Sequence, residues 1–239
     1  MQSTPLHLVI IPTYNERDNL GPLLAAIWQA VPHMHVLFVD DNSPDGTADL
    51  IKSKIASTDG GRLHLLERPK KLGLGTAYIS GFRWALARSY TAIIEMDADL
   101  SHNPAVLRSM LKELGGADVV VGSRYIEGGG TVNWSLYRKL ISLGGSLYAR
   151  TILGLKVRDL TGGFNAWKRE VLETIGIDRV RSEGYAFQIE LKYRANRRGF
   201  RILEIPIQFT ERRAGQSKMS ATIFFEAILR VWHLRFSKD

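Results

Sequence analysis

Hydrophobic positions in the first 125 residues switch repeatedly between two periods. "LHLVIIPTY" (6–14) is a continuous apolar run of strand length, and "ERDNLGPLLAAIWQAV" (16–31) spaces its apolar residues along one helical face. The alternation continues with a strand running into turn residues, "HVLFVDDNSPDGT", and a helix, "TADLIKSKIAS". A short strand "RLHLLER" and the helix "TAYISGFRWALARS" come next, then the strand "YTAIIEMDA". The helix "NPAVLRSMLKEL" has Asn103 as its expected N-cap and Pro104 at its first position, and the strand "ADVVVGSRY" closes the series. Strands and helices in strict alternation predict an α/β fold with a mostly parallel sheet covered on both faces.

Beyond residue 125 the pattern loosens. "EGGGTVN" reads as a loop, and "WSLYRKLISLGGSLYARTIL" as a long helical stretch broken at Gly144 and Gly145. "VRDLTGGFNAWKRE" reads as loop and short strand, "SEGYAFQIELKYRANRRG" as helix and "FRILEIPIQFT" as one strand. A polar loop, "ERRAGQSKM", leads to a closing amphipathic helix. With no internal repeat and no linker, one domain spanning 1–239 is expected, carrying amphipathic helices at 134–155 and 220–236.

Composition narrows the function. Of 239 residues none is cysteine, which removes disulfides and thiolate metal sites and fits a reducing, cytoplasmic setting. The N-terminus lacks the basic region of a signal peptide, and no run approaches the roughly 18 apolar residues of a membrane span. The net charge is +8, and from Lys192 onward eleven lysines and arginines stand against four acidic residues. Such a surface suits phosphorylated ligands, an anionic membrane or nucleic acid.

Acidic residues nevertheless gather where strands end. The first strand ends in Pro12, Tyr14, Asn15 and Glu16, the second in Asp40, Asp41, Ser43 and Asp45, and a later one in Asp97, Asp99 and Ser101. In open parallel sheets the carboxyl ends of the strands form the binding crevice. If Asp97-Ala98-Asp99 is extended, both carboxylates share a side and can meet one divalent cation; as a turn, they would instead accept backbone N–H groups. Arg124 ends the next strand, Arg138 lies on the following helix, and Arg212, Arg213 and Lys218 sit in the late loop, all suited to phosphate oxygens. "GLGTAYISG" fails as a dinucleotide fingerprint, because its third glycine would fall at Tyr78; a tight turn and close packing are expected there. The six histidines form no paired zinc spacing, and His102 is expected to orient the turn after the aspartates.

The segments "IPTYNE", "VDDNSPDGT", "GLGTA", "MDADLSHNP", "VVGSRY", "DLTGGFNAWKRE", "EGYAFQIEL" and "RRAGQSKM" together resemble the polyprenol-phosphate mannosyltransferases, a group that includes the dolichol-phosphate mannose synthases. These are family-2 inverting glycosyltransferases of the GT-A fold, Rossmann-like with a mostly parallel sheet. The resemblance implies that Pro12, Tyr14, Glu16, Val39 and Asp41 hold the guanosine diphosphate part of the donor. It implies that Asp97, Ala98 and Asp99 meet the diphosphate and a Mg²⁺ or Mn²⁺ ion, with Asp99 the principal metal ligand. Ser101 stands where some relatives carry glutamine as a further ligand. Arg124, Arg138 and Ser142 would receive the acceptor phosphate, and Arg212 and Lys218 would close over the donor. Asp97, Asp99, Arg124 and Arg138 would be the catalytic set. Asn165 departs from the arginine common in relatives, so no ligand role is assigned to it. The processive Gln-x-x-Arg-Trp motif is absent, the sole Arg-Trp being Arg83-Trp84, which favours single transfer.

The implied reaction moves mannose from GDP-mannose to a polyprenyl monophosphate with inversion. A phosphate monoester, with a second pKa of about 6, needs no strong general base. The amphipathic helices would lie at the cytoplasmic face of a membrane as a peripheral attachment, alone or with a membrane-embedded partner protein. Transfer of glucose or another sugar to the same lipid class is the nearest alternative. A nucleic-acid-binding module would account for the basic charge but not for acids at successive strand ends.

Overall fold

The computed structural model describes residues 6–57, 61–180, 182–210 and 221–236, with side chains left out of account at 221–228. Seven strands form one sheet in the order β3-β2-β1-β4-β7-β5-β8. They are β1 (Leu6–Thr13), β2 (His35–Asp40), β3 (Leu63–Glu67), β4 (Tyr90–Glu95), β5 (Val119–Ser123), β7 (Asn165–Lys168) and β8 (Ile202–Pro206). Only β7 runs antiparallel, pairing with β4 and β5. The chain builds outward from β1 through β2 to β3, then returns to place β4 on the other side of β1. That reversal makes the carboxyl ends of β1 and β4 the topological switch point, where open α/β sheets bind their ligands.

Alternation along the strands sends side chains to two cores. Val9, Ile11, Phe38 and Ile94 join Leu20, Leu23 and Ile27 of α1 (Leu20–Ala30) and Leu107 and Met110 of α4 (Val106–Glu113). Leu8, Ile10, Val39 and Ile93 pack on the opposite face against α3 (Leu74–Leu86), α6 (Arg169–Thr174) and α7 (Gly184–Arg197). The remaining early helix, α2 (Thr47–Ser57), buries Ile51. Both faces are covered, so these strands read as unbroken apolar runs. At Gly81 a Cβ would lie 2.6 Å from Ile10 Cγ2, so the glycine is what lets α3 approach the sheet. Gly73, with φ +99°, opens that helix in a conformation side chains rarely adopt. The glycine segment thus serves the tight turn and close packing expected of it.

Two expectations need correction. Helix α5 (Leu136–Leu153) runs unbroken through Gly144 and Gly145. Two mid-helix glycines cost about 1 kcal/mol each. Ser135 caps the helix at Arg138 N, Gly154 ends it in the left-handed region, and Ser146, Ala149 and Leu153 are buried. The predicted single strand after Phe200 divides in two. Beyond β8, Ile207 donates to Ser123 O at 3.0 Å and accepts from Gly130 N at 2.9 Å, so the chain leaves β5. A second, two-stranded sheet follows, β6 (Gly130–Val132) with β9 (Gln208–Thr210), although "EGGGTVN" looked like loop alone.

Helix α8 (Ala221–Phe236) and α5 share a third core with α7, through Ala149, Leu153, Ile189, Tyr193, Val231 and Leu234. Each is apolar on its outer side as well. Leu136, Tyr137, Leu140, Leu143 and Leu147 are exposed on α5, and Leu229, Trp232 and Phe236 on α8.

Candidate active site

At the end of β2, Asp40 is fully buried and structural. It accepts from Thr13 Oγ1 at 3.0 Å, Ser43 N at 2.9 Å and Ser43 Oγ at 2.6 Å, tying the ends of β1 and β2 together. Asp45 does similar work, accepting from Thr47 N, Thr47 Oγ1 and Arg17 N. Glu16 donates its N–H to Thr47 Oγ1 and accepts from Asn19 Nδ2. Pro12 is half-buried and Tyr14 exposed, with the Lys71 ammonium 3.8 Å from the Tyr14 ring centroid. The Val39 side chain is fully buried in the core, so any contact it makes with a donor is through its main chain.

Asp41 has a partner that the sequence did not suggest. Arg68, directly after β3, donates Nε to Asp41 Oδ1 at 2.5 Å, Nη1 to Thr76 Oγ1 at 2.8 Å and Nη2 to Gly73 O at 3.2 Å. Arg68 therefore couples the second strand end to the glycine turn. Its position at a strand end was the available signal.

Strand β4 stops at Glu95, so Asp97, Ala98 and Asp99 lie in a turn and not in an extended segment. Asp99 Oδ1 accepts from Ser101 N at 3.0 Å, and Leu100 sits at φ +60°, a strained setting for a branched residue. His102 orients the turn as expected, its Nδ1 accepting from Asp97 N at 3.1 Å. Burial lowers its pKa despite Asp97 and Asp99, so the ring is neutral, and it stacks on Phe164 with centroids 4.7 Å apart. Tyr78 lies buried nearby; burial, then the negative charges of Asp97, Glu95 and Asp99, push its phenol pKa well up.

Beneath this turn lies a buried polar network. Glu95 accepts from Gln188 Nε2, Asn165 Nδ2 and Trp167 Nε1 at 2.8–3.0 Å, and burial raises its pKa. Lys192 Nζ donates to Gly162 O at 2.7 Å and Leu160 O at 3.2 Å, its pKa lowered by burial to about 8. Asn165 thus has an internal structural role, consistent with the absence of an assigned ligand role.

Arg124 directly follows β5 and is only 7% exposed. It grips Asp159, with Nε on Oδ2 and Nη2 on Oδ1, both at 2.7 Å, while Nη2 also reaches Thr161 Oγ1 at 2.9 Å. Most of its fork therefore anchors the loop before β7. Arg124 Cζ lies 5.3 Å from the Trp134 ring centroid and Arg138 Cζ 4.1 Å from it. Tyr125 donates to Ser142 Oγ at 2.6 Å. Arg124, Arg138 and Ser142 are thus brought together around Trp134 and Tyr125. Phe209 of β9 packs edge-on against both Trp134 and His102, bridging the arginine cluster and the acidic turn. Arg212, Arg213 and Lys218 lie outside the described residues.

Among the described residues no group of three or more His, Asp or Glu side chains is placed to cage a metal. A hard divalent cation needs no such cage when substrate phosphates and water complete its shell. The residues present fit that mode: the Asp99 carboxylate stands beside Ser101, whose Oγ is buried without a hydrogen-bond partner among the described residues.

Comparison with known proteins gives the family and the fold. The family model for glycosyl transferase family 2 matches residues 8–176. The chain is 46% identical to a polyprenol monophosphomannose synthase from Mycolicibacterium smegmatis, covering 100% of this chain and 91% of the relative. It is 48% identical to an undecaprenyl-phosphate mannosyltransferase from Micrococcus luteus, covering 94% and 91% respectively. Among solved structures, it superposes on a glucosyl-3-phosphoglycerate synthase from Mycobacterium tuberculosis with Mn²⁺, uridine diphosphate and phosphoglyceric acid (TM-score 0.71, 18% identity, 98% of this chain and 80% of that one). It also superposes on a mannosyltransferase from Pyrobaculum calidifontis in complex with GDP-Man and Mn²⁺ (TM-score 0.60, 17% identity, 99% and 71%). These establish the GT-A fold, and the chain is a glycosyltransferase that belongs to glycosyl transferase family 2.

Proposed function

We propose that the protein transfers mannose from GDP-mannose to a polyprenyl monophosphate, with inversion at the anomeric carbon. One observation carries the reading: Arg124 and Arg138 converge on the Trp134 ring, which Phe209 joins to His102 and the Asp97–Asp99 turn. An anionic acceptor held at the arginines would then face a diphosphate donor held at the turn. The names of the two relatives at 46% and 48% identity support mannose as the transferred sugar and a polyprenyl phosphate as the acceptor, and the structural neighbour from Pyrobaculum calidifontis binds GDP-Man.

In this reading Pro12, Tyr14, Glu16, Asp41, Ala98 and the main chain of Val39 line the nucleotide side, and Arg212 and Lys218 complete it. Asp99, with Ser101, would hold Mg²⁺ or Mn²⁺, and Asp97 would meet the donor diphosphate. The cation, when bound, supplies charge neutralisation on the departing nucleoside diphosphate. An acceptor phosphate oxygen forms the new bond to the anomeric carbon as the bond to the diphosphate oxygen breaks on the opposite face. Arg124, Arg138 and Ser142 orient that phosphate and offset its repulsion from the donor. Already ionised near pH 7, it needs no base, and the neutral, buried His102 is left to its structural task.

The acceptor carries a lipid tail. No described helix is long and apolar enough to cross a membrane, while α5 and α8 expose leucine and aromatic residues beside Arg138, Lys139, Arg230 and Arg235. In this reading the exposed apolar faces would attach the protein peripherally at the cytoplasmic face of a membrane, alone or beside an embedded partner protein. Incubation with labelled GDP-mannose, Mg²⁺ and polyprenyl phosphate is expected to yield lipid-linked mannose. Turnover only with a different nucleotide sugar would overturn the donor assignment.

A further inference from the structure

The loop from Arg124 to Ser135 delivers Trp134 into the middle of the arginine cluster. The residue is 9% exposed, and its Nε1–H is buried without a hydrogen-bond partner among the described residues. A buried donor left unpaired carries a penalty of about 1–3 kcal/mol. Its neighbours offer no relief, because Arg138 at 4.1 Å and Arg124 at 5.3 Å are cations without acceptor atoms. Phe209, edge-on at 5.4 Å, has no polar atom. An unpaired indole N–H on a ring that two guanidinium groups approach is a donor whose natural complement is an anion.

Arg124 strengthens the case. Its Nε and Nη2 are committed to Asp159, so the cluster presents fewer guanidinium donors than two unencumbered arginines would. A phosphate monoester has three anionic oxygens to satisfy. We infer that Trp134 is a binding residue of the acceptor-phosphate site, its indole N–H donating to a phosphate oxygen while its ring face stations Arg138. The inference rests on the proposed transfer to a polyprenyl phosphate. Indole is the strongest aromatic partner for a cation, so one side chain performs both tasks.

The test separates the N–H from the ring. In ¹⁵N-labelled protein the five tryptophans give five indole signals, and Trp134→Phe identifies one of them. Titration with farnesyl monophosphate is expected to move that proton downfield, whereas farnesol, which lacks the phosphate, leaves it in place. In the transfer assay Trp134→Phe should raise the acceptor KM about ten-fold, as hydrogen bonds to charged groups are the stronger class, with the GDP-mannose KM unchanged. A signal that responds equally to farnesol and farnesyl monophosphate, or an acceptor KM unaltered in Trp134→Phe, overturns the assignment. If that variant does not fold, phenylalanine at the other four tryptophans assigns the signal by elimination. Failure of the wild-type protein to make lipid-linked mannose would count against the transfer reading alone, since the indole signal reports phosphate binding without turnover.

Discussion

Asp159 holds Arg124 by both carboxylate oxygens, and the pair is sealed from solvent, with side chains 0% and 5% exposed. Burial acts against the Asp159 charge, but the guanidinium outweighs it and the carboxyl pKa is lowered. Removing one partner leaves the other charge buried and uncompensated. Asp159→Asn is expected to destabilise the fold by about 3 kcal/mol or more, read by urea denaturation. Arg124→Lys should not restore wild-type stability, because an ammonium cannot reproduce the two-pronged grip.

Asp99→Ala should lower kcat by at least about a hundred-fold, the scale seen when one transition-state charge contact is lost. The hydrogen bond from Ser101 N that the variant also loses has an ordinary worth of about 1 kcal/mol, so the kcat loss should far exceed any loss from that bond. Near-normal transfer by this variant would remove the metal assignment.

His102→Phe preserves an aromatic ring on Phe164 but removes the acceptor for Asp97 N. A loss of about 1–3 kcal/mol for the orphaned N–H is expected, together with a fall in kcat at unchanged acceptor KM. A fall in acceptor affinity alone would contradict the role given to this ring.

Acid should destabilise the opposite end of the sheet. His35 Nδ1 lies 3.2 Å from His64 Nε2 and 3.0 Å from Tyr90 Oη. Burial, then His35 and Arg88, lower the His64 pKa from 6.5 to about 4. The unfolded chain therefore takes up this proton first as pH falls. The His64 contribution is intact above about pH 6.5 and is lost progressively toward pH 4. Thermal melts at pH 7 and pH 5 should differ less in His64→Gln than in wild type.

The outer leucines of α5 are exposed, Leu140 to 60%. Leu140→Glu should leave the melting temperature within a few degrees of wild type and weaken sedimentation with anionic vesicles at least several-fold. Undiminished vesicle binding would sink the claim that this face meets lipid.

The sheet was legible in the sequence because its strands are buried on both faces and read as apolar runs such as "LHLVIIPTY". Strand ends then singled out Glu16, Asp41, Asp97 and Arg124 as candidate site residues. Side-chain partnerships were not legible. Asp41 and Arg68 are 27 positions apart, and Arg124 and Asp159 are 35 apart. Only the fold tells an arginine that grips a carboxylate from one that awaits a phosphate. The break expected at Gly144 and Gly145 failed because the helix is set by its cap and its buried stripe, which local propensity does not register. Trp134 was read as the first residue of the amphipathic helix at 134–155 and Phe209 as part of one strand; instead Trp134 precedes the helix and is buried, and its meeting with Phe209 depends on the small β6–β9 sheet.

The unbroken course of α5 has a consequence for depth. Arg138 and Ser142 alternate on this helix with Leu136, Leu140 and Leu143, all within about two turns at 1.5 Å rise per residue. On the proposed reading, the parts that touch lipid and the parts that touch phosphate belong to one rod with no hinge between them. Sinking the leucines to a given level would fix the height of the phosphate cradle, so the helix works as a gauge that meets headgroups at one elevation and ignores phosphates presented above or below it.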